Sequence, residues 1–293
     1  MAEKKRKRFG DRKEGRRLRS LDAYYGFAPY IMRTRNDANN SFSDSFDITE
    51  LDGYLRKKRA GGMPGLGILH FYVAAFVRLI SQKPALNRFI SGQRIYARDG
   101  IEFIMSIKKE MSVDGGETSI KVKLSPGDTI DDVYRKINAE VKNVREDSAD
   151  TSTDNVAGAL MKIPRLFLKF AVFIITVLDY FDLLPRVLLD ASPFHGSFIV
   201  TDLGSVGLPP VAHHLYNIGN LPVFIAFGAK RKAYEPAPDG SVAARKYLDT
   251  NIVVDERICD GFYFAQCYKL LKDIFKNPGQ LDTPPETIVA DVP

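Results

Sequence analysis

Asp255-Glu256-Arg257-Ile258-Cys259-Asp260-Gly261 is the stretch on which the reading of this chain turns. It follows an apolar, strand-like run from Asn251 to Val254 and precedes apolar residues at helical spacing from Phe262 to Phe275. A strand end and a helix start therefore meet across a turn that carries three acids, an arginine and a thiol. Asp260 stands where a helix N-cap is expected, because its short side chain can accept from the first free backbone amides.

Outward from this stretch, composition narrows the class. The chain has 293 residues, of which 45% are hydrophobic and 11% aromatic, enough for a sizeable core. Two cysteines, Cys259 and Cys267, fall outside any CxxC spacing. That excludes a disulfide framework and a cysteine zinc site and fits a reducing cytosol. The basic N-terminus has no apolar segment behind it, unlike a secretory signal. The run Phe170 to Leu178 is too short to span a bilayer, which takes roughly 20 residues. Charge is concentrated in a basic arm at residues 1–20, where ten Lys/Arg face Glu3, Asp11 and Glu14. The arm holds +7 of a total of +6, so the remainder is close to neutral. It is expected as a solvated tail or an arm lying on a neighbouring subunit. Nucleic acid is not the expected partner, since no aromatic interleaving or nucleic-acid motif accompanies the cations.

Residues 21–293 read as one domain. Tyr30 to Phe46 reads as extended, Ile48 to Lys58 as a short amphipathic helix, and Ile68 to Ser81 as a strongly apolar helix. Gly61-Gly62-Met63-Pro64-Gly65-Leu66-Gly67 between them lacks the Lys and Ser/Thr of a phosphate loop and reads as a connector. Arg94 to Tyr96, Ile101 to Lys108 and Thr118 to Leu124 read as strands. In the last, Ile120, Val122 and Leu124 alternate with Lys121 and Lys123. Asp128 is expected to cap a helix running to about Arg145. A polar linker and an apolar insertion of two or three helices fill residues 147–190. Ser197 to Thr201, Val223 to Phe227 and Ala243 to Val254 complete the strands. The tail from Leu281 to Pro293 reads as extended.

The heptapeptide resembles the His-x-x-x-Asp-Gly signature of two related families, the catalytic domains of dihydrolipoamide acyltransferases and chloramphenicol acetyltransferase. Asp260 and Gly261 match it, Cys259 and Phe262 match the chloramphenicol branch, and Glu256 stands in the histidine's position. Pro84-Ala85-Leu86-Asn87 is similar to the Pro-x-Leu-Asn stretch of the first family. Ser197-Phe198-Ile199-Val200-Thr201-Asp202-Leu203-Gly204 is similar to its Thr-Phe-Thr-Ile-Ser-Asn-Leu-Gly, and the matches run in order over roughly residues 20 to 280. The resemblance implies an α+β, two-layer chloramphenicol acetyltransferase-like fold. It has a mixed sheet, helices on one face and sites at subunit interfaces.

The resemblance also implies roles. A base takes the thiol proton, which falls to Glu256. A hydroxyl stabilises the oxyanion, which falls to Thr201, and Asp260 holds the geometry through a buried ion pair with Arg33 or Arg35. Asp202 and the pair His213 and His214 are implied as substrate-binding. Each has a plainer alternative: Thr201 an ordinary strand threonine, Glu256 a partner for Arg257 or for another subunit's cation, His70 and Cys259 packing residues. No covalent lipoyl domain is expected in this chain, so coenzyme A is the implied acyl carrier, and no metal is expected.

Glu256 is where the chemistry is in doubt. An ordinary glutamate titrates near ~4.3 and a thiol near ~8.5, so proton transfer between them is uphill by roughly 5–6 kcal/mol. A matched general base contributes about 10²–10⁴-fold, or roughly 3–5 kcal/mol. The mismatch cancels that benefit unless burial raises the carboxylate. The expectation is an atypical acyltransferase with transfer weak or lost. An active coenzyme A-dependent enzyme using Glu256, and a structural cage or membrane-associated scaffold, are the alternatives. Relatives are homotrimers, some built into cages, with the base and the hydroxyl on different chains. The apolar helices of the insertion are expected to pack between subunits or, with residues 160–190 and the basic arm, on an anionic membrane surface. A cytoplasmic location is expected, with a peripheral membrane one the alternative.

Overall fold

In the computed structural model, residues 7–108, 117–146, 152–237 and 239–293 are described. The chain begins with β1 (Gly15–Arg17), α1 (Ala23–Ile31), β2 (Asn39–Asp47), α2 (Thr49–Ala60) and α3 (Ile68–Gln82). Four strands follow, β3 (Arg88–Ser91), β4 (Arg94–Arg98), β5 (Ile101–Lys108) and β6 (Glu117–Leu124), and then α4 (Ile130–Glu146). The insertion supplies α5 (Ser152–Met161), α6 (Arg165–Tyr180) and α7 (Arg186–Ala191). Strands β7 (Phe198–Asp202), β8 (Val223–Pro236) and β9 (Val242–Asp255) lead to α8 (Gly261–Lys276).

Six strands form one mixed sheet in the order β2-β9-β8-β7-β5-β6. Strands β5, β7 and β8 run parallel to one another, and the remaining pairs are antiparallel. Side chains on a strand alternate between faces, so each strand sends one set to the helices. Ile120, Val122 and Leu124 of β6 and Leu248, Ile252 and Val254 of β9 lie in the main core, against α2, α3, α4 and α8. Phe71, Tyr72 and Phe275 are buried at its centre, with Phe46 stacked on Phe275 at 4.3 Å between ring centroids. Burying each such ring stabilises the fold by about 1.5–3 kcal/mol. The opposite face carries Asn251 and Val253 of β9, Phe224 and Ala226 of β8, and Ile199 and Thr201 of β7.

Three expectations change. The helix expected to start at an Asp128 cap starts at Thr129 instead: Thr129 Oγ1 accepts from the Asp132 amide at 3.2 Å, and Asp132 Oδ2 accepts from the Thr129 amide at 3.1 Å. This reciprocal box satisfies two end donors at once. Part of Tyr30 to Phe46 is helix and turn, because Asp22 caps α1 through Tyr24, and only from Asn39 is the chain a strand. Strand β8 continues nine residues past Phe227, across a bulge, as a two-stranded ribbon with β9. Its turn is closed by Gly240 at φ +81°, a left-handed conformation that glycine adopts without strain.

The basic arm is the largest departure. Residues 7–20 are not a solvated tail but lie on their own chain, with β1 paired to β4 in a three-stranded sheet β1-β4-β3. A Cβ on Gly15 would stand 2.3 Å from the Ala97 carbonyl oxygen, so only glycine lets the arm come this close. Arg12 donates to the Tyr180 carbonyl, and Lys13 Nζ donates to the carbonyls of Asp182 and Leu184 at 2.7 and 2.8 Å. Glu14 is half-buried between Arg98 (3.0 Å) and Asn220 (2.8 Å). The cations thus satisfy carbonyls at the end of α6 and fasten the insertion to the body. Residues 1–6 of the arm and 147–151 of the linker lie outside the described residues.

Candidate functional site

Strand β9 brings a carboxylate under the surface at its last residue. Asp255 is 1% exposed, and a charge there demands partners. Arg257 provides them from two residues on, with Nε at 2.7 Å from Oδ1 and Nη2 at 2.6 Å from Oδ2. Arg35 approaches the same carboxylate at 4.0 Å and donates to the carbonyls of Tyr216 and Asn217. Burial draws the Arg35 guanidinium down to about 10, against the pull of Asp255.

The buried ion pair expected of Asp260 therefore belongs to Asp255. Asp260 is exposed and caps α8, accepting from the Tyr263 amide at 2.7 Å and from the Tyr25 hydroxyl. The Tyr25 bond and the Tyr263 amide hold its carboxyl below the usual range, and the same bond pushes Tyr25 up to about 12. Neither Arg33 nor Arg35 bonds to it among the described residues. Sequence reading missed Asp255, although an acid directly after Ile252-Val253-Val254, with arginine two positions on, carries the signal.

Glu256 is half-buried at the start of the turn. Its amide donates to the Ala38 carbonyl at 2.9 Å, and Asn40 of β2 donates to its carboxylate. Arg257 is committed to Asp255, so the plainer expectation of a Glu256–Arg257 pair does not hold.

Thr201 lies on the sheet face away from the helices, half-buried, and its hydroxyl has no partner among the described residues. Its neighbour Asp202 accepts from the Ser205 amide at 2.9 Å. Burial raises the Asp202 carboxyl, opposed by the Ser205 and Gly204 amides. Register fixes how Thr201 stands to Glu256 within one chain. Thr201 pairs with Ala226, and Ala226 with Asn251, five residues short of Glu256. The two are thus separated by roughly 16 Å along the strands and about 10 Å across them. A single chain does not bring them together.

His213 and His214 do come to the Thr201 face. His213 stacks on Phe224 at 4.0 Å between ring centroids, and His214 stacks on His213 at 4.8 Å. Phe224 pairs with Ile199, two residues before Thr201 on the same face. His213 Nδ1 donates to the His214 carbonyl at 2.8 Å. The loop that carries them is held by Gly219, where a Cβ would stand 2.2 Å from the Phe194 carbonyl oxygen. His70 is buried, as expected of a core residue, and its Nδ1 accepts from the Gly67 amide at 3.2 Å at the start of α3.

Cys259 is buried, and burial pushes its thiol far up; Cys267 is raised by burial to about 12. Neither is an available nucleophile. An apolar cavity of about 640 Å³ lies between α8 and β2, walled by Phe42, Phe76, Leu79, Phe264 and Tyr268. It is on the helix side of the sheet, and neither Glu256 nor Thr201 lines it. No group of three or more His, Cys, Asp or Glu is placed to hold a metal ion among the described residues.

No protein-family model matches the sequence, and no curated protein matches it. The fold has clear neighbours among solved structures. A probable dihydrolipoamide acetyltransferase from Listeria monocytogenes superposes with a TM-score of 0.57 at 14% identity, over 88% of this chain and 94% of that one. The dihydrolipoamide acetyltransferase of Azotobacter vinelandii, in which a serine, a histidine and an asparagine have been investigated for their catalytic role, gives 0.52 at 16%, over 88% of each chain. A chloramphenicol acetyltransferase gives 0.52 at 12% identity, over 88% of this chain and 99% of that one. The chain thus has the fold shared by dihydrolipoamide acetyltransferase cores and chloramphenicol acetyltransferase. At these identities the likeness is one of fold.

Proposed function

We propose that this protein is an acyltransferase of thioester type with an atypical site, in which transfer is weak or lost. The observation that carries the reading is Glu256, held by Asn40 at the junction of β9 and α8, where the resembling families place a histidine. A carboxylate there is poorly matched to a thiol proton, and one of its oxygens is already engaged by an amide. Thr201 remains suited to its role: a hydroxyl with no partner among the described residues can donate to a carbonyl oxygen as charge develops on it. Its acyl group would come on a free thiol carrier, coenzyme A by the resemblance.

We further propose that the working unit is a homo-oligomer, a trimer by the resemblance, with Glu256 of one copy opposite Thr201 of the next. The separation of these residues within one chain supports a site shared between copies. In that arrangement His213, His214 and Asp202 would line the acceptor side. Turnover of acyl-coenzyme A with a panel of small acceptors tests the proposal. Efficient turnover by the unaltered protein, abolished by Glu256→Ala, would replace it with an active enzyme using Glu256 as base.

A further inference from the structure

Helix α6 has no buried residue along its whole length. Leu168, Ala171, Ile175 and Leu178, three and four residues apart, are half-buried and turn toward the body. Leu166, Phe167, Phe170 and Phe173 turn outward, with Leu166 76% and Phe173 59% exposed. Phe181, Leu183 and Val187 extend this surface beyond the helix, the last at 72% exposure. A helix apolar on nearly every side is normally covered by protein or lipid.

The charges beside this surface indicate which. Arg165 and Lys169, one turn apart on α6, and Lys162 in the turn before the helix place three cations at the N-terminal end of the apolar face. All three are exposed and make no ion pair among the described residues. The acids at the far end are already engaged. Asp179 accepts from His195 Nε2 at 3.1 Å, and Asp182 accepts from the Lys13 amide at 3.2 Å. A second copy seated here in antiparallel fashion would therefore bring no free carboxylate from its own helix to meet these cations. An anionic lipid surface supplies both halves of the complement, phosphate for the cations and acyl chains for the aromatic rings. No helix among the described residues is long and apolar enough to cross a membrane, so the geometry is that of a helix lying in the interface.

We infer that α6 and the segment to Val187 form a docking surface for anionic phospholipid membrane. This inference does not depend on the activity proposed above. The N-terminal arm contributes by holding the segment in place, through Arg12 on Tyr180 and Lys13 on Leu184.

Flotation of the full-length protein with phosphatidylglycerol vesicles and with phosphatidylcholine vesicles tests it. The protein should float with the anionic vesicles at least about tenfold more than with the neutral ones, and less as salt rises. The triple change Lys162→Gln, Arg165→Gln, Lys169→Gln should weaken anionic binding by roughly fivefold for each cation removed. The pair Phe170→Ser, Phe173→Ser should weaken binding to both kinds of vesicle. These side chains are exposed, so the thermal midpoint should not move, and a midpoint check separates lost docking from lost folding. Protein that stays with the soluble fraction in both vesicle types overturns the inference. So does a native mass that falls when Phe170 and Phe173 are changed, which would assign the surface to a second copy.

Discussion

Asp255 and Arg257, two residues apart, close a two-point ion pair at 2.7 and 2.6 Å beneath the turn that joins β9 to α8. Both are almost fully buried, so neither charge has water to fall back on. The pair fixes the backbone on either side of Glu256, and Arg35 ties the same carboxylate to the loop at Tyr216. The turn is therefore built to present the side chain at 256 in one place.

Removing one member of a buried pair leaves the other uncompensated. Asp255→Ala should lower unfolding free energy by about 3–5 kcal/mol. Asp260→Ala removes an exposed cap and the Tyr25 bond and should cost about 1–2 kcal/mol. Denaturant titration of both variants checks this, and a larger loss at Asp260 would reverse the assignment of the ion pair.

Acid should release the N-terminal arm. Burial opposes the Glu14 charge, but Arg98, His195 and the Asn220 bond outweigh it, and the folded value lies below the ordinary 4.5. A lowered folded value gives stabilisation that is full above the unfolded one and is lost as pH falls through the folded one. Below about pH 4.5 the thermal midpoint should therefore fall more steeply in the unaltered protein than in Glu14→Gln. Parallel midpoints across that window would contradict the role given to Glu14.

Thr201 should be dispensable for stability. Its hydroxyl has no partner among the described residues, so Thr201→Val should move unfolding free energy by less than about 0.5 kcal/mol. In a background made active by Glu256→His, the same change should cut kcat by about 10²–10³-fold. A large stability loss with unchanged kcat would make Thr201 an ordinary strand residue.

Sharing of the site between copies has its own test. A Glu256→His, Thr201→Val double variant lacks the hydroxyl, and the unaltered protein lacks the imidazole. Mixed oligomers of the two should recover turnover that neither shows alone. A native mass of one chain, 32.8 kDa, or no recovery on mixing would rule out a site shared between copies.

Where local pattern and tertiary packing agree, the sequence was readable. The alternation of Ile120, Val122 and Leu124 marks β6, and the apolar run from Ile68 marks α3, because each buries one face against the same core. The junction of β9 and α8 was legible for the same reason. The arm was not, since its position comes from carbonyls at Tyr180 and Leu184, far away in sequence, and a run of lysine and arginine looks alike in solvent or on a carbonyl cluster. The β8 half of the β8–β9 ribbon was hidden because beyond Phe227 it covers no core and shows no apolar alternation. At the candidate site, the positions of Glu256 and Thr201 in the fold were readable. The choice between Asp255 and Asp260 for the buried pair depended on burial, which sequence does not state.

If the carboxylate at position 256 limits transfer, an imidazole in its place should restore it. Release of free thiol from acyl-coenzyme A should be measured for the unaltered protein, Glu256→His and Glu256→Ala with the same acceptors. Release should be slow for the unaltered protein, no slower with alanine, and about 10²–10⁴-fold faster with histidine. Fast release by the unaltered protein that both substitutions abolish would contradict a limit set by this carboxylate.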